Sequence, residues 1–159
     1  MAAETSAGPE HRIVVGVDGS VPSKAALRWA LRQAHLTGAA VEAVTAWEFP
    51  LVYGYPAPMI DNVSFEELAT NVVKDAIAEA THGAGAGRIY YKVVEGNAAS
   101  ALIRESADAD LLVVGSRGHG GFVEALLGST GQHCVHHATC PVVVIRDSLT
   151  GQWPDPDRP

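Results

Sequence analysis

Five short apolar runs, separated by segments with helical periodicity, constrain the fold of this chain more than any other feature. The runs are rich in valine, isoleucine and leucine, which are typical of strands. Near-continuous apolar runs of this length are typical of strands buried on both faces of a parallel sheet. They occupy residues 12–18, 40–47, 88–96, 110–116 and 140–147.

The segments between the runs have the boundary residues and the apolar spacing of helices. Residues 20–38 begin with serine, carry proline in the first turn and end on glycine, as helices favour. Asn97 suits the N-cap of a helix over 97–109, and a further helix lies within 120–139. From Ser64 onward, apolar residues recur at helical spacing and predict a stripe that faces the core. The stripe comprises positions 65, 68, 72, 73, 76, 77 and 80.

This alternation predicts an α/β fold: a doubly wound, five-stranded parallel sheet with helices on both faces. The expected strand order is 3-2-1-4-5, in which the first and fourth strands are neighbours. A chain of 159 residues suggests one domain. We expect that domain to span residues 11–147, between a disordered N-terminus over 1–10 and a flexible C-terminal tail over 148–159.

Charge and cysteine content argue against several classes of function. The formal net charge is −7 and the isoelectric point is near 5.4, whereas binding to nucleic acid or to an anionic membrane needs a basic face. Two cysteines are too few for a disulfide framework. Residues 1–12 do not read as a signal peptide, and no apolar stretch approaches the roughly 18 residues of a membrane span. We expect a cytoplasmic protein with no nucleic-acid or membrane partner.

A ligand is expected beyond the carboxyl ends of the first and fourth strands, where the strand order reverses. The first strand ends in "GVDGS", and its Asp18 can accept hydrogen bonds from a ribose hydroxyl or from an adenine amino group. Asp-Gly is also a common turn pair, so Asp18 can serve a turn, a ligand or both.

After the fourth strand, glycines stand at 115, 118 and 128 and are followed by two hydroxyl residues, Ser129 and Thr130. Glycine permits a close backbone approach, and a run of N–H groups with a helix N-terminus can surround phosphate oxygens. A glycine-rich loop without a ligand has the same spacing, so the loop alone leaves both interpretations open.

Three motifs together resemble the universal stress protein family, over about residues 11–147. "IVVGVDGS" is similar to the family's first strand, and "HHATCPVVVIR" to its final helix end and strand. The pattern G-x2-G-x9-G-[S/T] of the nucleotide-binding members is present from Gly115 to Ser129. The resemblance implies the 3-2-1-4-5 sheet, ATP bound between the first and fourth strands, and a homodimer formed through the last strand, Pro141–Arg146.

The resemblance also implies which residues contact the nucleotide. One group would lie at the adenosine end and the other around the ribose and phosphates. The first group is Gly16, Val17, Asp18 and Ala46; the second is Gly115, Ser116, Arg117, Gly118, Gly120, Gly121, Gly128, Ser129 and Thr130.

Two departures from the family pattern bear on catalysis. Many members read G-S-V-S where this chain reads "GSTG" over 128–131, and many carry a basic residue in the nine-residue spacer, where this chain has Glu124 and no lysine or arginine. We therefore expect affinity to depend on Mg²⁺ and on Arg117. Because phosphoryl transfer needs charge neutralisation, we expect a nucleotide-dependent stress-response switch with little or no turnover.

Four alternatives remain open. The first is a slow ATPase or a self-phosphorylating protein with Ser129 or Thr130 as acceptor, and the second is a binder of AMP or cyclic AMP. A flavodoxin-like electron carrier shares the topology, but its phosphate loop would follow the first strand. The segment "HCVHHATC" over 133–140 invites a zinc site, although its spacing matches no common closed zinc site and its histidines suit a helix C-terminus.

Overall fold

The computed structural model describes residues 11–49, 51–52, 54–56, 64–82, 87–118 and 127–146. Its strands are β1 (Arg12–Gly16), β2 (Ala40–Trp47), β3 (Leu51–Val52), β4 (Tyr55–Pro56), β5 (Ile89–Glu95), β6 (Leu111–Gly115) and β7 (Val142–Ile145). Its helices are α1 (Val21–Thr37), α2 (Phe65–Thr81), α3 (Ala98–Glu105) and α4 (Ser129–His137). The expected disordered N-terminus and C-terminal tail lie outside the described residues.

The main sheet contains five parallel strands in the order β5-β2-β1-β6-β7, which confirms the predicted order 3-2-1-4-5. The central strand β1 has a neighbour on each side, so that Val14 lies opposite both Glu42 of β2 and Leu112 of β6. After β1 the chain continues through α1 to β2, on one side of β1, and after β6 it continues through α4 to β7, on the opposite side. The two connections therefore separate at the carboxyl ends of β1 and β6, and sheets of this type bind ligands at that point.

Two apolar layers, one on each face of the sheet, hold the helices. Val15 and Val41 point to one face and pack with Leu27 of α1 and Val73 of α2. Val14, Val44 and Leu112 point to the other face, where Leu102 of α3 and Cys134 of α4 cover them. The period-two alternation of a strand accounts for this division between neighbouring residues such as Val14 and Val15. The helices therefore cover both faces, as predicted.

Residues with side chains or conformations suited to capping stand at the starts of three helices and at the end of α1. The side chains of Ser20, Ser64 and Asn97 accept hydrogen bonds from backbone N–H groups three residues later, at the starts of α1, α2 and α3. Gly38 ends α1 in the left-handed conformation with φ 75°, which glycine adopts at low cost.

One position of the predicted stripe on α2 is wrong. Leu68 is 52% exposed, whereas Ala69, Val73 and Ala76 are the buried residues of this helix. Positions 69, 73 and 76 follow the spacing i, i+4, i+7, so the buried stripe begins at Ala69 and not at the preceding residue, Leu68. The apolar spacing alone could not tell the two apart, because both residues are apolar.

The segment over 48–61 contains regular structure that was not predicted. β3 and β4 pair antiparallel as a small two-stranded sheet, and Gly54 between them has φ 80°. Two of the other elements are clearly shorter than expected: α3 ends at Glu105 instead of 109, and β7 spans four residues of the run 140–147, whereas β2 spans the predicted residues 40–47. Two-residue strands are below the length at which sequence periodicity is recognisable.

Replacing the N-cap serine of α1 tests how much this helix end contributes to stability. Because Ser20→Ala removes the oxygen that accepts from the Ser23 N–H, we expect the free energy of unfolding to fall by about 1 kcal/mol. Urea denaturation followed by circular dichroism measures this change. Ser100→Ala, at an exposed helical position of α3, is the matched control and should be close to wild type. Equal stability of Ser20→Ala and wild type would contradict the capping role.

Candidate functional site

A cavity of about 300 Å³ opens at the carboxyl ends of β1 and β6, between the first residues of α1, α3 and α4. Every predicted site residue that the structure describes lines it, and Gly120 and Gly121 lie outside the described residues. These lining residues are Gly16, Val17, Asp18, Ala46, Gly115, Ser116, Arg117, Gly118, Gly128, Ser129 and Thr130.

Further residues line the cavity that were not predicted from the sequence. They are Ser23, Val44, Ala98, Leu102, Val114 and Gly131. Val44 lies two residues before the predicted Ala46 on β2, and Val114 directly precedes the predicted Gly115 on β6. Because alternate strand residues share a face, the period of two could have indicated Val44 from Ala46. Leu102 comes from the middle of α3, and no sequence signal links that helix to the cavity. Its position follows from the way α3 packs over β1 and β2.

Asp18 takes part in a hydrogen-bonded turn at the mouth of the cavity. The Ser20 N–H donates to its Oδ1 at 2.9 Å, and the Ser20 hydroxyl donates to the same oxygen. The Asp18 N–H donates to the Ser23 hydroxyl at 3.3 Å, and that hydroxyl donates to the Ser20 carbonyl at 3.0 Å. The turn role considered for Asp18 is therefore present. The residue is also exposed, so a ligand can reach its carboxylate.

The other carboxylate oxygen of Asp18 lies against Gly118. A Cβ built on Gly118 would stand 2.5 Å from Asp18 Oδ2, closer than non-bonded atoms approach. Because Ser20 holds the carboxylate from the other side, a larger residue at position 118 would displace the carboxylate from its turn. Glycine at this position therefore keeps Asp18 at the cavity mouth.

Gly115 has a packing role that its place in a phosphate-loop motif did not reveal. A Cβ on Gly115 would stand 2.8 Å from the carbonyl carbon and from the Cβ of Pro22. The first turn of α1 can thus cross the end of β6 only where β6 has no side chain. A similar contact occurs at Gly16, where a Cβ would meet Leu102 Cδ1 at 2.8 Å.

The N-terminus of α4 forms one wall of the cavity. Gly128 is its N-cap, and its N–H donates to the Ser116 carbonyl at 2.7 Å, which joins the helix start to the segment after β6. The Gln132 N–H makes the first turn of the helix by donating to the Gly128 carbonyl at 2.9 Å. The N–H groups of Ser129, Thr130 and Gly131 thus precede the first N–H that donates within the helix, and they carry partial positive charge.

The two ends of the cavity differ in chemistry. Val44 and Ala46 of β2, with Leu102 of α3, provide an apolar end on the side of β1 away from β6. The α4 N-terminus, with its hydroxyls and backbone N–H groups, provides a polar end. Among the described residues that line the cavity, Arg117 is the basic one and Asp18 the acidic one.

Cys134 lies on the buried side of α4, where its side chain is 0% exposed. Burial, and secondarily the nearby Cys140, raises the pKa of its thiol to about 11. The thiol therefore stays protonated at neutral pH, and a protonated thiol is a poor nucleophile and a poor metal ligand. In the described part of the chain, no three or more His, Cys, Asp or Glu residues form a group that could hold a metal ion.

Aromatic ring contacts join the end of β2 to the first residue of α2. Phe49 contacts Trp47 and Phe65 edge-on, with ring centroids 5.1 and 5.8 Å apart. None of these rings lines the cavity, and Tyr55 is 75% exposed. Tyr53 lies outside the described residues.

No described helix has the length and apolar content needed to cross a membrane.

Mycobacterial proteins are among the curated relatives. One is a universal stress protein of Mycolicibacterium smegmatis, 36% identical over 146 residues that cover 86% of this chain and 48% of the relative. Another, from Mycobacterium tuberculosis, is 35% identical over 138 residues that cover 87% of this chain and 46% of the relative. The chain thus spans about half the length of the curated relatives it matches.

Solved structures share the fold over most of the chain. The universal stress protein UspA from Lactobacillus plantarum superimposes with a TM-score of 0.70 at 26% identity, covering 87% of this chain and 99% of that one. A universal stress protein crystallised in complex with cAMP superimposes with a TM-score of 0.63 at 27% identity, covering 87% and 98% of the two chains. The model of the universal stress protein family matches residues 10–146, and the chain belongs to that family.

Proposed function

We propose that this protein binds an adenine nucleotide, foremost ATP, and that the bound nucleotide acts as a switch in a stress response. The observation that carries the proposal is the meeting of two distant segments around one cavity. Residues 16–18 and residues 115–118 with 128–130, singled out for nucleotide contacts, all line it. The likeness to a universal stress protein that was crystallised with cAMP supports an adenine nucleotide as the ligand class.

The chemistry of the cavity supports one orientation of the nucleotide. The base fits the apolar end beside Val44 and Leu102, where it is removed from water. The phosphates fit the α4 N-terminus, where N–H groups and the Ser129 hydroxyl can donate to phosphate oxygens without a lysine. Asp18, between the two ends, accepts from the ribose or from the adenine amino group.

The same residues give no support to a flavin phosphate after β1. That turn is occupied by hydrogen bonds among Asp18, Ser20 and Ser23, and Pro22 supplies no N–H there. The start of α4, whose first residues line the cavity, offers unpaired backbone N–H groups instead.

Nucleotide binding can be tested on the purified protein. We expect adenine nucleotide to co-purify, as detected by mass spectrometry, and ATP to bind below millimolar concentration by calorimetric titration. Gly118→Ala, which displaces the Asp18 carboxylate, should weaken binding at least about tenfold, equivalent to about 1.4 kcal/mol. Ser100→Ala, outside the cavity, is the control. If ATP, AMP and cyclic AMP all fail to bind below millimolar concentration, the proposal is wrong.

Arg117 and Mg²⁺ should determine how much the phosphates add to affinity. Since Arg117 is the basic lining residue among those described, Arg117→Ala should weaken ATP more than AMP and should increase the dependence of ATP binding on Mg²⁺. Arg104→Ala, which removes an exposed arginine paired with Glu105, is the matched control. Unchanged ATP affinity in Arg117→Ala would contradict this role.

Slow hydrolysis or self-phosphorylation is the second candidate, because Ser129 and Thr130 line the cavity and bear hydroxyls that a phosphoryl group could reach. Little turnover is expected since one arginine offers limited charge neutralisation. With γ-labelled ATP, we expect neither label on the protein nor phosphate release above buffer. Sustained release that Gly118→Ala abolishes would instead establish the enzyme.

We also propose a homodimer formed through the last strand, over Pro141–Arg146. β7 is an edge strand of the described sheet. The carbonyls of Pro141, just before β7, and of Ile145 accept from the Leu112 and Ser116 N–H groups. Because strand residues alternate in direction, the N–H of Val144 points away from β6, toward the open edge. Among the described residues no other strand pairs with this edge, so it can accept a second copy of the chain.

The dimer can be tested at that N–H. We expect light scattering to give twice the 16.6 kDa chain mass for wild type. Val144→Pro removes the outward N–H and should yield monomer, while Val144→Ala trims the same side chain and should remain dimeric. Circular dichroism would verify that both variants fold. A monomeric wild type, or a folded Val144→Pro that stays dimeric, would refute the dimer through β7.

A further inference from the structure

The exposed side of α4 carries a group of imidazoles that the nucleotide site does not use. His133, His136 and His137 are all exposed, on the helix whose N-terminus lines the cavity. The rings of His133 and His137 have centroids 4.5 Å apart and are tilted by 43°. We propose that His133 and His137 together chelate one divalent transition-metal ion of the Zn²⁺, Ni²⁺ and Cu²⁺ class.

The spacing of the two rings fits a shared metal. Residues four apart lie one above the other on a helix, which holds both imidazoles on one side of α4. Imidazole nitrogens bind Zn²⁺ at about 2.0–2.1 Å, which brings the centres of two ligating rings to about 5 Å. The observed 4.5 Å is close to that separation.

Other nearby groups are less suited to the ion. The ring of His136 is 6.4 Å from that of His137, and Cys134 faces the core with its side chain 0% exposed. Within the described residues no third protein ligand completes a closed site, so water would fill the remaining positions. This differs from the closed zinc site considered for residues 133–140, which needs the cysteines as ligands.

The two-imidazole ligand set also indicates the metal preference. Imidazole suits zinc, copper and nickel, whereas calcium and magnesium prefer oxygen ligands. For an open site of this kind the affinity should follow the general order, with Cu²⁺ bound more tightly than Ni²⁺ or Zn²⁺. Binding across one turn of α4 would stabilise the folded helix, because the unfolded chain does not hold the two rings together.

Calorimetric titration of tag-free protein with Cu²⁺, Ni²⁺ and Zn²⁺ tests the proposal without nucleotide. We expect one ion per chain, with Cu²⁺ tightest, and electron paramagnetic resonance of the Cu²⁺ complex should show two coupled nitrogens. His133→Gln and His137→Gln should each weaken binding at least about tenfold, because each removes one of two ligands.

Two control variants separate this pair from histidines in general. His136→Gln, on the same helix, and His35→Gln, an exposed histidine in the last turn of α1, should bind as wild type does. Unchanged binding in both His133→Gln and His137→Gln, or an equal loss in His35→Gln, would overturn the proposal. Mg²⁺ binding at this pair with similar affinity would overturn it as well.

Discussion

The pairing of β1 with β6 is the interaction on which the rest of the structure depends. It brings residues nearly a hundred positions apart in sequence into register, with Val15 opposite Val113. Everything at the cavity follows from this pairing, since Asp18 and Gly118 each lie a few residues beyond a paired strand. The contact between Gly115 and Pro22 reinforces it, because α1 can begin beside the end of β6 only when position 115 carries no side chain.

The polar end of the cavity consists mostly of backbone. In the proposed nucleotide complex, the N–H groups at the start of α4 would take the place of the lysine that phosphate-binding loops often provide. The described lining contributes one arginine. Such a site can hold an anion through fixed dipoles that cost little to reorganise. It offers few cationic side chains to neutralise the negative charge that develops on the phosphate oxygens in phosphoryl transfer. For this reason we favour a nucleotide binder over a catalyst.

Much of the fold could be predicted because local signals agreed with one another. The serine, asparagine and glycine residues at the helix ends occupy the positions that their hydrogen-bonding chemistry favours. The signals failed where two residues shared a chemistry, as with Leu68 and Ala69, or where an element was too short to show a period, as with β3 and β4. The family pattern indicated most cavity residues, but not Leu102, whose contribution depends on how α3 lies across the sheet.

By itself the sequence determined the alternation of the main strands and helices, from which the sheet class follows, and the N-caps of the first three helices. These features depend on interactions within a few residues. Only the tertiary structure decided that Gly115 is required by packing against Pro22, that Gly16 lies against Leu102, and that Gly118 lies against the Asp18 carboxylate. These are contacts between atoms that chain folding brings together from separate elements. Their distances depend on the positions of whole helices over the sheet, which no local pattern of residues records.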